Sequence, residues 1–119
     1  MAKDPTAAFF AALAERGHEP LLQSESGTIR FDARDGRRTE HWYITLKKGD
    51  VAVSHKNADA NTVVRLDKAT LDALVTGRAN ATTAVLRGEL EFEGDLGLVM
   101  SFQRLFPAPP KSVYARRIK

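Results

Sequence analysis

The chain has 119 residues, 43% hydrophobic and 28% charged, the profile of one globular domain with one core. It contains no cysteine, which excludes a disulfide framework, a thiolate zinc site and a thiol nucleophile, and is compatible with a cytoplasmic protein. The formal charge of +3 comes from residues 107–119, where Lys111, Arg116, Arg117 and Lys119 stand without an acid; the remaining 14 basic and 15 acidic residues balance, so the body presents no basic face for nucleic acid.

Asp4 followed by Pro5 is a helix start, and Phe9, Phe10 and Leu13 then recur at helical spacing until Gly17. The apolar run Ala7–Ala14 behind Lys3 has the outline of a secretory leader. It is too short, and Asp4 and Pro5 interrupt the basic segment, so a short amphipathic helix is expected instead. No stretch approaches the ~18 apolar residues of a membrane-spanning helix. Residues 18–26 read as a polar link. A meander follows. Residues 28–33 alternate, with Ile29, Phe31 and Ala33 on one face, and Asp35-Gly36 signals a hairpin. Residues 40–47 set Trp42, Ile44 and Leu46 against His41, Tyr43 and Thr45. Gly49-Asp50 reads as a turn before Val51 and Val53. Alternation with one polar side implies a sheet covered on one face.

After a polar loop at 56–61, residues 62–66 predict a fourth strand. Asp67 then opens a helix with the stripe Leu71, Leu74 and Val75, stopped by Gly77. A short helical turn near 82–87 ends at Gly88. The fifth strand, 89–93, turns Leu90 and Phe92 inward and Glu89, Glu91 and Glu93 outward. Gly94-Asp95 then turns the chain and caps a last helix predicted over 96–106, which the prolines from Pro107 onward end. Meander, helices and a returning strand make an α+β protein: a five-stranded, mostly antiparallel sheet with helices on one face.

The last helix is too apolar for simple packing. Leu98, Val99, Phe102, Leu105 and Phe106 share a face, and Leu96 and Met100 widen the arc to roughly 220°, where a helix on a sheet needs ~100°. Either the helix is covered on both sides or part of the arc lines a cavity. The adjacent pair Phe9-Phe10 poses the same alternative, because neighbours on a helix cannot both point into one core. Signals for catalysis are weak. His18, His41 and His55 lack metal-ligand spacing, no serine sits in a nucleophile elbow, and Gly94-Asp95-Leu96-Gly97 lacks the phosphate-loop fingerprints. Glu89, Glu91 and Glu93 have no apolar surroundings to raise a carboxyl pKa. The tail is either a solvated terminus or a means of contact with an anionic membrane through Lys111, Arg116, Arg117 and Lys119.

Residues 61–106 taken together resemble the sterol carrier protein type 2 domain family. The pattern is a strand, a helix ending at Gly77, a short helix of small residues, then Gly88, Leu90 and the pair Gly94-Asp95 before an apolar helix closing on Leu105-Phe106. The amino-terminal helix and the meander with Trp42 fit the same family more loosely, so residues 1–107 form the expected domain and 108–119 a basic tail. One departure is the ending Arg117-Ile118-Lys119, which gives no support for peroxisomal import. The resemblance implies an apolar tunnel between sheet and helices. It implies non-catalytic binding of a sterol, fatty acyl chain, phospholipid or isoprenoid, without metal or cofactor. The expected wall is Leu98, Val99, Phe102 and Phe106, opposed by Phe9, Phe10, Leu13, Trp42, Ile44, Leu90 and Phe92. The alternative is an interaction or accessory module that keeps the fold with its groove filled.

Overall fold

A computed structural model describes residues 4–107 of the chain. Helix α1 (Pro5–Arg16) begins where the Asp4 carboxylate accepts the Ala7 N–H at 3.0 Å, and it ends on Gly17 in the left-handed region. Phe10 and Leu13 on its inner face are fully buried. The strands are β1 (Ser26–Asp35), β2 (Arg38–Lys47), β3 (Asp50–Ser54), β4 (Thr62–Asp67) and β5 (Leu90–Glu93). Helices α2 (Lys68–Val75) and α3 (Ala81–Leu86) lie between β4 and β5, and α4 (Leu96–Phe102) closes the fold.

The sheet order is β3-β2-β1-β4-β5. Three pairings are antiparallel and one, β1 with β4, is parallel. The register sets Phe31 between Trp42 and Val64 and Ile29 beside Ile44, so the inner faces of four strands meet under the helices. That face is the core, with Ile29, Phe31, Ala33, Ile44, Leu46, Val64, Leu66 and Leu90 nearly or wholly buried. Helix α2 adds Leu71 and Leu74, both fully buried.

Polar contacts fasten α1 to α2. The buried Thr6 hydroxyl donates to Asp72 at 2.6 Å, and Lys68 Nζ donates to Asp4 at 2.9 Å and to Asp72 at 3.2 Å. Burial pulls the Lys68 ammonium down, but the bonds to Asp4 and Asp72 outweigh it and leave its pKa above the ordinary lysine value. The Lys68 contact in turn holds the Asp4 carboxyl below its usual range.

Several local expectations shift. The last helix stops at Phe102, and a 3-10 turn, Gln103–Leu105, replaces its final part. Pro107 excludes helical backbone from the residue before it, and Phe106 is extended. The second hairpin turns on Lys48-Gly49, both at positive φ, one residue earlier than the composition suggested. The link at 18–26 is not merely polar. It holds a 3-10 turn, Pro20–Leu22, whose Leu22 is fully buried, and His18 pairs with Asp50 at the edge of β3. The outer sheet face is also partly covered. Tyr43 is buried there because the loop after β3 folds over it, with Tyr43 Oη donating to the Asp59 carbonyl at 2.8 Å and Lys56 Nζ 5.1 Å above its ring.

Candidate ligand-binding groove

The site is built from three short elements. Asn80 caps α3 by accepting the Thr83 N–H at 3.1 Å, and the chain leaves α3 through Gly88 straight into β5. β5 pairs with β4 so that Leu90 lies opposite Leu66 and Phe92 opposite Val64, both on the helix side. Gly94 then turns the chain at φ +114°, a conformation costly for any side chain. Asp95 caps α4 by accepting the Leu98 N–H at 3.2 Å, and its own N–H donates to the buried Thr62 hydroxyl at 3.1 Å. The Gly-Asp pair thereby fixes where α4 starts relative to the sheet.

Between these elements lies an open groove of about 160 Å³. α3 contributes Ala81, Thr82, Val85 and Leu86; β5 contributes Leu90 and Phe92; Leu96, Val99, Met100 and Gln103 form the opposite bank. Thr82 and Gln103 are the polar members. Behind the groove sits a smaller void of about 20 Å³ against Ile29, Phe31, Val64, Phe102 and Phe106. Ala81, Leu90, Val99 and Gln103 line both spaces and form the partition between them.

The wide apolar arc of α4 is therefore divided. Leu98 and Phe102 are buried in the core, while Leu96, Val99 and Met100 face the groove. Of the residues expected to line a cavity, Leu90, Phe92 and Val99 lie on the groove and Phe102 and Phe106 on the void behind it. The others are placed elsewhere. Phe10 stacks on Trp42 with ring centroids 4.7 Å apart and meets Phe31 at 5.6 Å. Phe31 meets Phe102 at 5.4 Å, and Phe9 covers Phe106 at 5.5 Å. Phe10, Trp42, Leu13, Ile44 and Leu98 belong to the buried core, with Phe9 packed against it. Lys111, Arg116, Arg117 and Lys119 lie outside the described residues.

A second concavity, about 750 Å³, occupies the outer face of the sheet and is lined by charges of both signs. Arg30 holds Asp32 through two nitrogens at 2.8 and 3.0 Å, His41 Nδ1 donates to the same carboxylate at 2.8 Å, and Arg30 reaches the Ala58 carbonyl. Burial pushes the Asp32 carboxyl up, yet the hydrogen bonds from Arg30 and His41 prevail and hold it below the usual carboxylate range. Arg30 joins Asp32 to the Ala58 carbonyl, which suits a clip that holds the covering loop. Among the described residues no three acidic or imidazole side chains gather as metal ligands, and no helix is long and apolar enough to cross a membrane.

A family model described as the SCP-2 sterol transfer family matches residues 4–107. The chain belongs to the SCP-2 sterol transfer family. Sterol carrier protein 2 of Gallus gallus is 36% identical over 105 residues, 84% of this chain and 19% of that protein. The sterol carrier protein domain 2 of Helicoverpa armigera has a TM-score of 0.69 at 21% identity, covering 85% of this chain and 84% of that one. The palmitated SCP2L2 of Aedes aegypti has a TM-score of 0.65 at 16% identity, covering 92% and 99%. At these identities the two structures show the shared fold. The chain spans about a fifth of the length of the curated relatives it matches.

In this SCP-2 family domain the groove residues absent from the sequence-based wall are chiefly Val85, Leu86, Leu96 and Met100. The surplus apolar arc carried the signal for the last two. Val85 and Leu86 had little, because a six-residue helix is too short to display a period.

Proposed function

We propose that this protein binds an elongated apolar ligand without catalysis, and that the groove between α3, β5 and α4 is where the ligand enters. Membership of a lipid-transfer family supports the general role. The observation that carries the reading to this site is the groove's wall, eight of whose ten side chains are apolar while its mouth stays open. Burial of apolar area, at ~25 cal/mol per Å², is the driving force, and Thr82 and Gln103 are the groups able to orient a polar head. At about 160 Å³ the groove is smaller than the ~300–1,000 Å³ of typical ligand sites. A whole acyl chain or sterol therefore requires α3 and α4 to spread apart, because joining the groove to the void of about 20 Å³ behind it adds little room. A fatty acyl chain, sterol, phospholipid or isoprenoid fits this description, and the palmitated insect relative supports the acyl class.

The modest volume also favours a second reading, an accessory module whose groove seats a partner rather than a lipid. Native mass spectrometry of freshly purified protein, followed by organic extraction, separates the two. A discrete lipid at one per chain is the expected result. A clean apo mass, with no uptake of a fluorescent fatty acid or sterol, would establish the second reading instead.

A further inference from the structure

Four large apolar side chains are exposed at the groove: Leu86 at 81%, Leu96 at 54%, Met100 at 47% and Val85 at 39%. All four also line it, so they form one connected rim and not scattered surface residues, the pattern of an interaction surface. Arg87 follows Leu86 in the chain and Arg104 follows Gln103. Both are exposed, and neither forms an ion pair among the described residues. The neighbouring acids are either on the opposite face of the sheet or bonded elsewhere. Glu89 and Glu91 line the concavity on the other side of the sheet, Glu93 pairs with Arg65, and Asp95 caps α4.

An apolar rim flanked by unpaired arginines complements an anionic lipid surface. The apolar side chains can enter the acyl boundary while the guanidinium groups stay among the phosphates. We propose that this rim, Val85, Leu86, Leu96 and Met100 with Arg87 and Arg104 beside it, is the face by which the protein docks on a bilayer containing anionic lipid. The inference rests on the lipid-binding reading in one respect: a lipid passing through a submerged mouth need not cross water.

The chain has no cysteine, so Leu86→Cys creates a single labelling site in the full chain for a polarity-sensitive dye. Glu91→Cys, on the opposite side of β5, is the control. With phosphatidylcholine vesicles containing phosphatidylserine, a blue shift is expected at position 86 and none at 91, with little response to phosphatidylcholine alone. Replacing Arg87 and Arg104 together by Glu should weaken vesicle co-flotation by at least about tenfold. Uptake of cis-parinaric acid from vesicle-free solution should be unchanged, because neither arginine lines the groove. Three results would overturn the proposal: equal responses at 86 and 91; vesicle binding lost only when the cations at 111, 116, 117 and 119 are replaced; or a shift at 86 that needs no vesicles and follows dimer formation. Insertion at 86 without any uptake from solution would instead remove the carrier reading and leave the docking face standing.

Discussion

The backbone of Gly94 lies so close to Asn61 that a side chain at 94 would overlap the Asn61 carbonyl oxygen and approach the Thr62 Cα to 2.9 Å. Space and φ thus both demand glycine, and the contact sets the angle at which the chain leaves β5 for α4. Gly94→Ala should cost at least ~1–3 kcal/mol from backbone strain alone, more because the overlap is with backbone. The check is a urea titration followed by circular dichroism.

Asp95 completes the same corner. Asp95→Ala loses the cap on α4 and should cost about 1 kcal/mol. Ligand uptake should fall with it, since α4 supplies Leu96, Val99 and Met100 to the groove. Asp95→Asn, which keeps an accepting oxygen, should restore most of both.

Val99 stands on the partition between groove and inner void and is half-buried. Val99→Trp should fill the groove and lower uptake of a fluorescent fatty acid by more than about tenfold, with the thermal midpoint little changed. Phe102 is the wrong residue for that test. It is 1% exposed among Phe31 and Phe106, so a charge there would unfold the protein, and Phe102→Ala should cost ~3–5 kcal/mol.

Stability should fall at both ends of the pH scale. The Asp32 and Asp4 carboxyls sit below their ordinary value of 3.8. Each therefore adds stability above that pH, which is lost as pH falls through its lower folded value. Lys68 sits above its ordinary 10.5, so its contribution is present below that pH and is lost as pH rises past the folded value. Urea midpoints measured against pH should show Asp32→Asn and Asp4→Asn each flattening the acid limb in part, and Lys68→Met flattening the alkaline limb.

The element order and the inward face of each strand were legible because period-two alternation is local. Ile29, Phe31, Trp42, Ile44, Leu90 and Phe92 all take the side their spacing assigns. The parallel pairing of β1 with β4 was not legible: Ile29 meets Thr62, 33 residues on, and no local pattern encodes such a partner. Leu22 carried no periodic signal, since it and Leu21 are the two leucines of an otherwise polar stretch and only Leu22 turns inward. At the groove, spacing exposed an excess of apolar surface on α4 without telling core from cavity. That division between Leu98 and Val99 depends on what stands opposite each, a three-dimensional fact.

Every side chain lining the groove falls between residues 81 and 103, whereas the core draws on the chain from Phe10 to Phe102. The proposed binding surface is thus one uninterrupted stretch of chain, and through Ala84, Leu90, Leu98 and Phe102 the same stretch also completes the core. Exchanging that stretch for its counterpart from another family member, with Gly94 and Asp95 retained, would transplant ligand preference as a unit.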